Sequence, residues 1–170
     1  MNAADTLTTH RLILRRPEPA DFEPFCAFMM SDRTRFLGGP KSRRIAFDRL
    51  ANFAGHWVMR GYGRYIVTDR ATGRPLGHAG AFQHDDTIPP EMAWSLWSAD
   101  DEGRGLAREA AAETLRHYRA DLGWPVVCAR IHRDNAGSIA IARQLGGTQV
   151  PHDEGDTLRF DIALAQRGAA

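Results

Sequence analysis

The segment that most restricts this chain runs from Trp94 to Ala110. A short apolar stretch gives way to the acidic turn Ala99-Asp100-Asp101-Glu102, then to Gly103-Arg104-Gly105, and then to an alanine-rich helix start. A strand that empties through glycines into a helix leaves the first helical amides without partners. The helix dipole adds partial positive charge at the same place, so the segment is suited to an anion such as a phosphate. Gly103 and Gly105 let the backbone approach a ligand where a Cβ would obstruct it.

Two nucleotide motifs compete for this loop, and neither fits. No Gly-Lys-Ser/Thr ending makes it a P-loop, and Arg108 stands where the dinucleotide pattern requires its third glycine. The formal net charge is +1, with 25% charged and 43% hydrophobic residues over 170 positions, which describes one ordinary globular domain. Lys41 is the single lysine, so polybasic tails are absent and a dedicated nucleic-acid binder is disfavoured. Arg43, Arg44 and Arg49 read as a solvated helix face. Cys26 and Cys128 lie far apart in apolar surroundings and read as buried free thiols. The seven histidines form no metal-binding spacing with each other or with the cysteines, so no metal is expected. Nothing resembles a signal peptide or a bilayer-spanning run, and a cytoplasmic protein with no membrane partner is expected.

Taken in order, residues 1–6 read as a loose tail, 7–164 as one domain and 165–170 as a second tail. Arg11 to Arg16 reads as a strand. Pro19 opens a helix that buries Phe22, Phe25, Cys26 and Met29, and Thr34 to Lys41 reads as a loop. Ser42 is positioned to cap a second helix with Ile45, Leu50, Phe53 and Trp57 on its apolar stripe, ending near Gly61. Strands follow at Arg64 to Asp69, Pro75 to Gln83 and Glu91 to Trp97, the first two forming a hairpin through Gly73. A helix to about Leu122, a strand from Pro125 to Ile131, a helix from Asn135 to Leu145 and a strand from Thr157 to Leu164 complete the chain. The fold class is therefore α/β (α+β), a mostly antiparallel sheet with one parallel strand pair around a central helix.

A second stretch, Ala129 to Gly146, delivers Asn135 from a strand to a helix start with Ser138 three residues later on the same face. Together with Glu102-Gly103-Arg104-Gly105-Leu106-Ala107, it resembles the GCN5-related N-acetyltransferase (GNAT) superfamily. Within that superfamily it is similar to the RimJ/RimL type of ribosomal-protein N-terminal acetyltransferase, whose opening strand Thr9 to Arg15 also resembles. The family signature begins with glutamine or arginine, where this chain has Glu102. A carboxylate beside a pyrophosphate costs on the order of 1 kcal/mol or more near a surface. That cost is small if the side chain turns outward.

The resemblance implies acetyl-CoA as acyl donor, with no metal. It implies that backbone groups of Leu96, Trp97 and Ser98 pair with the pantetheine arm as an added strand. Gly103, Arg104, Gly105, Leu106, Ala107 and Arg108 would hold the pyrophosphate, Asn135 would bond the pantetheine end, and Ser138 would sit near the sulfur. Taken separately, Asn135 reads first as a helix cap and Ser138 as a surface position in the first turn, and it is their joint spacing after a strand that favours the resemblance. Glu91 matches a position where this branch often carries glutamate and is the candidate base, with His78 the alternative. Ser138 is the candidate acid for a thiol of pKa about 8.5. The acceptor would be a primary amine, a protein N-terminus or a small molecule, met in a ternary complex. A homodimer is admitted. The competing expectation is a non-catalytic CoA-binding or regulatory module, suggested by Glu102 and the unproven base.

Overall fold

In the computed structural model, residues 3–151 and 155–164 are described. The expected C-terminal tail, 165–170, lies outside them, as does His152. The strands are β1 (Thr6–Thr8) and β2 (Leu12–Arg15), then β3 (Arg64–Asp69), β4 (Pro75–Phe82) and β5 (Glu91–Leu96). β6 (Val126–His132), β7 (Thr148–Val150) and β8 (Thr157–Ala163) follow, and the helices are α1 (Phe22–Met29), α2 (Arg43–Arg60), α3 (Leu106–Ala120) and α4 (Ala136–Gln144). The eight strands form one sheet in the order β1-β2-β3-β4-β5-β6-β8-β7. Every neighbouring pair is antiparallel except β5–β6, as the α/β reading with one parallel pair anticipated.

That parallel pair barely exists. Glu91 against Cys128 is its one register pair, with the Cys128 amide donating to Pro90 O at 2.9 Å. Beyond it β5 and β6 part. β4 holds β5 on the other side, where the Trp97 amide donates to Leu76 O at 2.8 Å. Because backbone groups alternate along a strand, those of Trp94 and Leu96 are turned toward the opening.

Two apolar clusters sandwich the sheet. α3 buries Leu106, Ala110, Ala111, Leu115 and Tyr118 against Leu12, Leu14, Tyr65, Val67 and Met92, and Ala142 of α4 joins the same cluster. Each large side chain so buried contributes roughly 1.5–3 kcal/mol. On the other face, Phe25, Phe28 and Met29 of α1 and Leu50 and Phe53 of α2 pack on Ile66, Phe82 and Trp97. Gly80 is where α3 locks to the sheet. The Tyr118 hydroxyl accepts from the Ala81 amide at 2.9 Å and donates to Gly63 O at 3.3 Å. A Cβ on Gly80 would stand 2.6 Å from Gly63 O and 3.1 Å from that hydroxyl, so a side chain there would push β3 and α3 apart.

Three local expectations need correction. Ala3 to Thr6 are tied down rather than loose, because the Ala3 amide donates to Gly61 O at 2.8 Å and Ala3 is buried. The Ala4 carbonyl also accepts from the Tyr65 hydroxyl at 2.8 Å. Within the expected loop after Thr34, residues belong to a 3-10 helix, Asp32–Leu37, capped by Ser31 and ended by Gly38 in the left-handed region. β7 was not anticipated, since three residues are too few to show alternation. Ser42 caps α2 as expected, its oxygen accepting from the Ile45 amide, and both cysteines are free and buried.

Candidate active site

A cleft of about 950 Å³ opens where β5 and β6 part. It runs from the start of α3 past the β5 edge to the face covered by α1 and α2, so one continuous space touches both sides of the sheet. Glu91, Leu96, Gly103, Gly105, Leu106, Ala107, Arg108, Asn135 and Ser138 line it. Trp97, Ser98 and Arg104 do not.

The glycine loop leaves the first amides of α3 without partners. Gly105 occupies the N-cap of α3 with φ +74°, and no side chain caps the helix. The first intrahelical bond is Glu109 N to Gly105 O, which leaves the amides of Leu106, Ala107 and Arg108 open toward the cleft. Salt bridges fix the loop from outside. Asp101, only 1% exposed, accepts from Arg74 at 3.0 and 2.7 Å, and Glu109 receives Arg11 at 2.6 Å. Arg104 faces Asp101 at 3.4 Å, and its carbonyl accepts from Arg11 at 2.9 Å. It serves the scaffold, and Arg108 is the loop's cation in the cleft.

Glu102 is neutralised in place. Its Oε1 receives the Arg33 guanidinium at 2.6 Å, and the same nitrogen donates to Leu96 O at 3.1 Å. Arg33 comes from the 3-10 helix after α1, so its partnership with a loop 69 residues away could not be read from spacing. The alternation of β5 also settles the two tryptophans. Trp94 lines the cleft, whereas Trp97 packs against Phe25 and Phe28 in the second core. Its amide is committed to β4, and Ser98 caps a short 3-10 turn by accepting from the Asp100 amide at 3.2 Å.

Asn135 caps α4, its Oδ1 accepting from the Ser138 amide at 3.1 Å, and its side-chain NH₂ remains to donate into the cleft it lines. Ser138 is half-buried on the same wall. Glu91 stands where the strands part, with Oε2 held by Arg130 at 2.9 and 2.6 Å. His78 is 4% exposed, and its Nδ1 lies 3.1 Å from the Trp97 indole nitrogen. An indole N–H only donates, so Nδ1 accepts and the neutral ring carries its proton on Nε2. Burial, with Arg64 and Arg49 nearby, pushes the imidazole well below its ordinary value. With both nitrogens so committed, His78 is a donor toward the cleft and offers no lone pair to an amine.

Sequence reading missed the cations on the α1/α2 side. Arg49, expected on a solvated helix face, lines the cleft one turn before Phe53, whereas Arg43 and Arg44 pair with Glu23 and Asp48. Arg64 shares its strand face with the buried Ile66, and an arginine in register with a core residue was the available signal. Among the described residues, no group of three or more His, Cys, Asp or Glu side chains could hold a metal. No helix among them is long and apolar enough to cross a membrane.

A sheet parted at one parallel pair, beside an uncapped glycine-led helix, defines an acyltransferase-type site. The comparisons agree with that reading. The family model for the acetyltransferase (GNAT) domain matches residues 11–148, and the chain belongs to that family. It is similar to the structure of an acetyltransferase from Agrobacterium tumefaciens str. C58, at 29% identity and TM-score 0.84 over 95% of both chains. It is also similar to a protein described as a GNAT-family acetyltransferase from Bordetella pertussis, at 30% identity and TM-score 0.77, over 94% of this chain and 100% of that one. RimL, a ribosomal L7/L12 α-N-protein acetyltransferase solved with coenzyme A, shares the fold at 14% identity and TM-score 0.76, over 92% of this chain and 96% of that one. No curated protein matches the sequence.

Proposed function

We propose that the protein is an N-acetyltransferase that moves the acetyl group of acetyl-CoA directly to a primary amine, with donor and acceptor held together in a ternary complex. The observation that carries this is the single cleft reaching from the open amides of α3 to Glu91. Two substrates can meet there without an enzyme-bound acyl group. Neither cysteine lines that cleft, which also favours direct transfer.

The residues present fit the donor. The amides of Leu106, Ala107 and Arg108 bind a diphosphate, with Arg108 adding charge. The backbone of Trp94 and Leu96 offers a strand edge to the pantetheine arm, and Asn135 donates to its far end. When bound, the thioester supplies the acetyl group and a leaving thiol of pKa about 8.5. Ser138 donates a hydrogen bond to the sulfur as the carbon–sulfur bond breaks. Glu91 uses its second oxygen to accept a hydrogen from the acceptor nitrogen, orienting it and receiving the proton directly or through water as the nitrogen–carbon bond forms. An α-amine, with pKa about 7.7–8.0, asks less of that carboxylate than a lysine at about 10.4.

The RimJ/RimL-type branch rests on the Thr9 to Arg15 segment. Protein N-termini and small amines are both acceptor classes of this reading. The Arg33–Glu102 pair weakens the rival, a CoA-binding module without turnover, because the acidic signature position no longer opposes a phosphate. Thioester consumption against amines and N-terminal peptides tests the proposal, with the melting temperature read in parallel. CoA is expected to raise the melting temperature, and at least one amine to consume the thioester. A raised melting temperature with no turnover across the panel replaces the enzyme by the binding module.

A further inference from the structure

Arg64 is the one cation lining the inner end of the cleft whose guanidinium donates to no acceptor among the described residues while its Nε is shut off from solvent. It rises from β3 and lies over the rings of Phe82, at 4.2 Å, and Phe53, at 5.4 Å. Burial lowers its pKa to about 10, so it remains charged at neutral pH. The other arginines held against the sheet here are paired, Arg33 with Glu102 and Arg130 with Glu91. Arg64 is half-buried, with its Nε cut off from water and its terminal nitrogens facing the cleft without a protein acceptor among the described residues, and the stacked rings compensate only part of the lost hydration.

The surroundings leave room for a partner. Arg64 pairs across the sheet with Gly80, and Gly80 with Ala93 of β5, so the two positions beside it in its row carry almost no side chain. Arg49 comes from α2 and lines the same cleft, its positive charge acting against that of Arg64. Glu91 is the carboxylate that acts on Arg64 from within the cleft, and one of its oxygens is already held by Arg130. Ala93 lies three residues before Leu96, roughly 10 Å up the strand at about 3.3 Å per residue. The donor's phosphates, held at the α3 start, are thus not placed to satisfy Arg64.

We propose that the acceptor carries its own anion, a carboxylate a few atoms from the reacting nitrogen, and that Arg64 and Arg49 seat that carboxylate while the nitrogen faces Glu91. The inference rests on the acetyltransferase reading and names its substrate class, an amino-acid-like amine. A guanidinium fork takes a carboxylate through paired, charge-assisted hydrogen bonds, whereas a polyamine or another polycation would meet two like charges.

The test uses matched sets of amines (an amino acid, its primary amide and its decarboxylated amine) with the full-length protein saturated with CoA. Equilibrium binding is measured by calorimetry, and kcat/KM is measured with acetyl-CoA. The carboxylate member is expected to lead by at least tenfold in both. Arg64→Gln and Arg49→Gln should each bring that preference toward unity, mainly through KM, while Arg64→Lys keeps part of it. If Arg64→Gln fails to fold, Arg49→Gln, on a half-exposed helix position, decides the matter. Equal binding across a matched set, a preference that survives both glutamine variants, or no binding of any carboxylate-bearing amine overturns the inference. Carboxylate-selective binding without turnover supports this inference and instead overturns the enzyme reading beneath it.

Discussion

The two ends of the cleft present positive charge by different means. At the α3 start the positive potential comes mainly from backbone: three open amides, a helix dipole and a glycine that replaces a capping side chain. Under α1 and α2 it comes from whole guanidiniums contributed by separate elements, Arg49 from a helix and Arg64 from a strand. Backbone dipoles are fixed by the fold and carry no net charge to desolvate, so such a receptor tolerates sequence change around it. Side-chain cations must each be kept charged and oriented against burial, and any one of them can be exchanged. The difference suits a site in which one substrate is constant and the other is particular to the protein.

The sharpest way to break this contrast is at Gly105. A Cβ there would meet only Arg11 Nη2 at 3.8 Å, so packing does not demand the glycine. The φ of +74° does, at about 1–2 kcal/mol for another residue, and a branched side chain would also cover the open amides. Gly105→Val is expected to lower CoA affinity by at least tenfold, read from the concentration of CoA needed to shift the melting temperature. Stability without ligand should fall by only about 1–2 kcal/mol. A variant with unchanged CoA affinity would show that the loop is a turn and no receptor.

That contrast also explains which parts were legible in the sequence. The glycine loop, the Ser42 cap and the helix led by Asn135 are local, each declared by residues within a few positions of one another, and all three stand where they were expected. The hairpin and the parallel pair follow from loop lengths and connection rules. Arg33, Arg49 and Arg64 were not legible in the same way, because their meaning depends on what lies across the sheet or across the cleft. Arg33 meets Glu102 only after α1 has packed on the β5 end. The resemblance implies that Trp97 and Ser98, with Leu96, pair through backbone groups with the pantetheine arm. The bond from the Trp97 amide to Leu76 O shows which strand edge that residue faces, a fact of register and not of motif. Ala3 and Ala4, composition-wise a tail, are held by long-range bonds to Gly61 and Tyr65.

A smaller effect is expected where the two regions meet, at Arg33 and Glu102. Arg33→Ala leaves the Glu102 carboxylate unpaired beside the proposed phosphate site and takes a donor from Leu96 O. CoA affinity should fall several-fold at low salt, on the order of 1 kcal/mol, and less at high salt because the pair is partly exposed. Glu102→Gln alone should bind CoA at least as well as the native chain. The double variant should recover most of the loss. Titration of CoA binding in a double-mutant cycle checks this, and additivity of the two substitutions would show that they act independently.

The remaining expected effect lies in the pH dependence of stability on the α1/α2 side of the cleft. His78 and His56 both have imidazoles lowered by burial, and Arg64 and Arg49 add repulsion at His78. Below about pH 6.5 an unfolded imidazole takes up a proton that the folded one refuses, so the unfolded state binds more protons. Stability is therefore full above that pH and declines as the pH falls, at no more than about 1.4 kcal/mol per pH unit for each histidine. Carboxylates held low by partners, such as Glu109 beside Thr9 and Arg11, contribute only further down, below about pH 4.5. His78→Asn offers an amide oxygen to the Trp97 indole without a titrating ring. Denaturant unfolding between pH 7 and 5 should show a shallower loss for this variant than for the native chain. An identical slope would mean that His78 is charged in the folded state or keeps its ordinary proton affinity there. The Trp97 bond would then not hold the ring neutral, and the α1/α2 side of the cleft would be wetter than its burial implies.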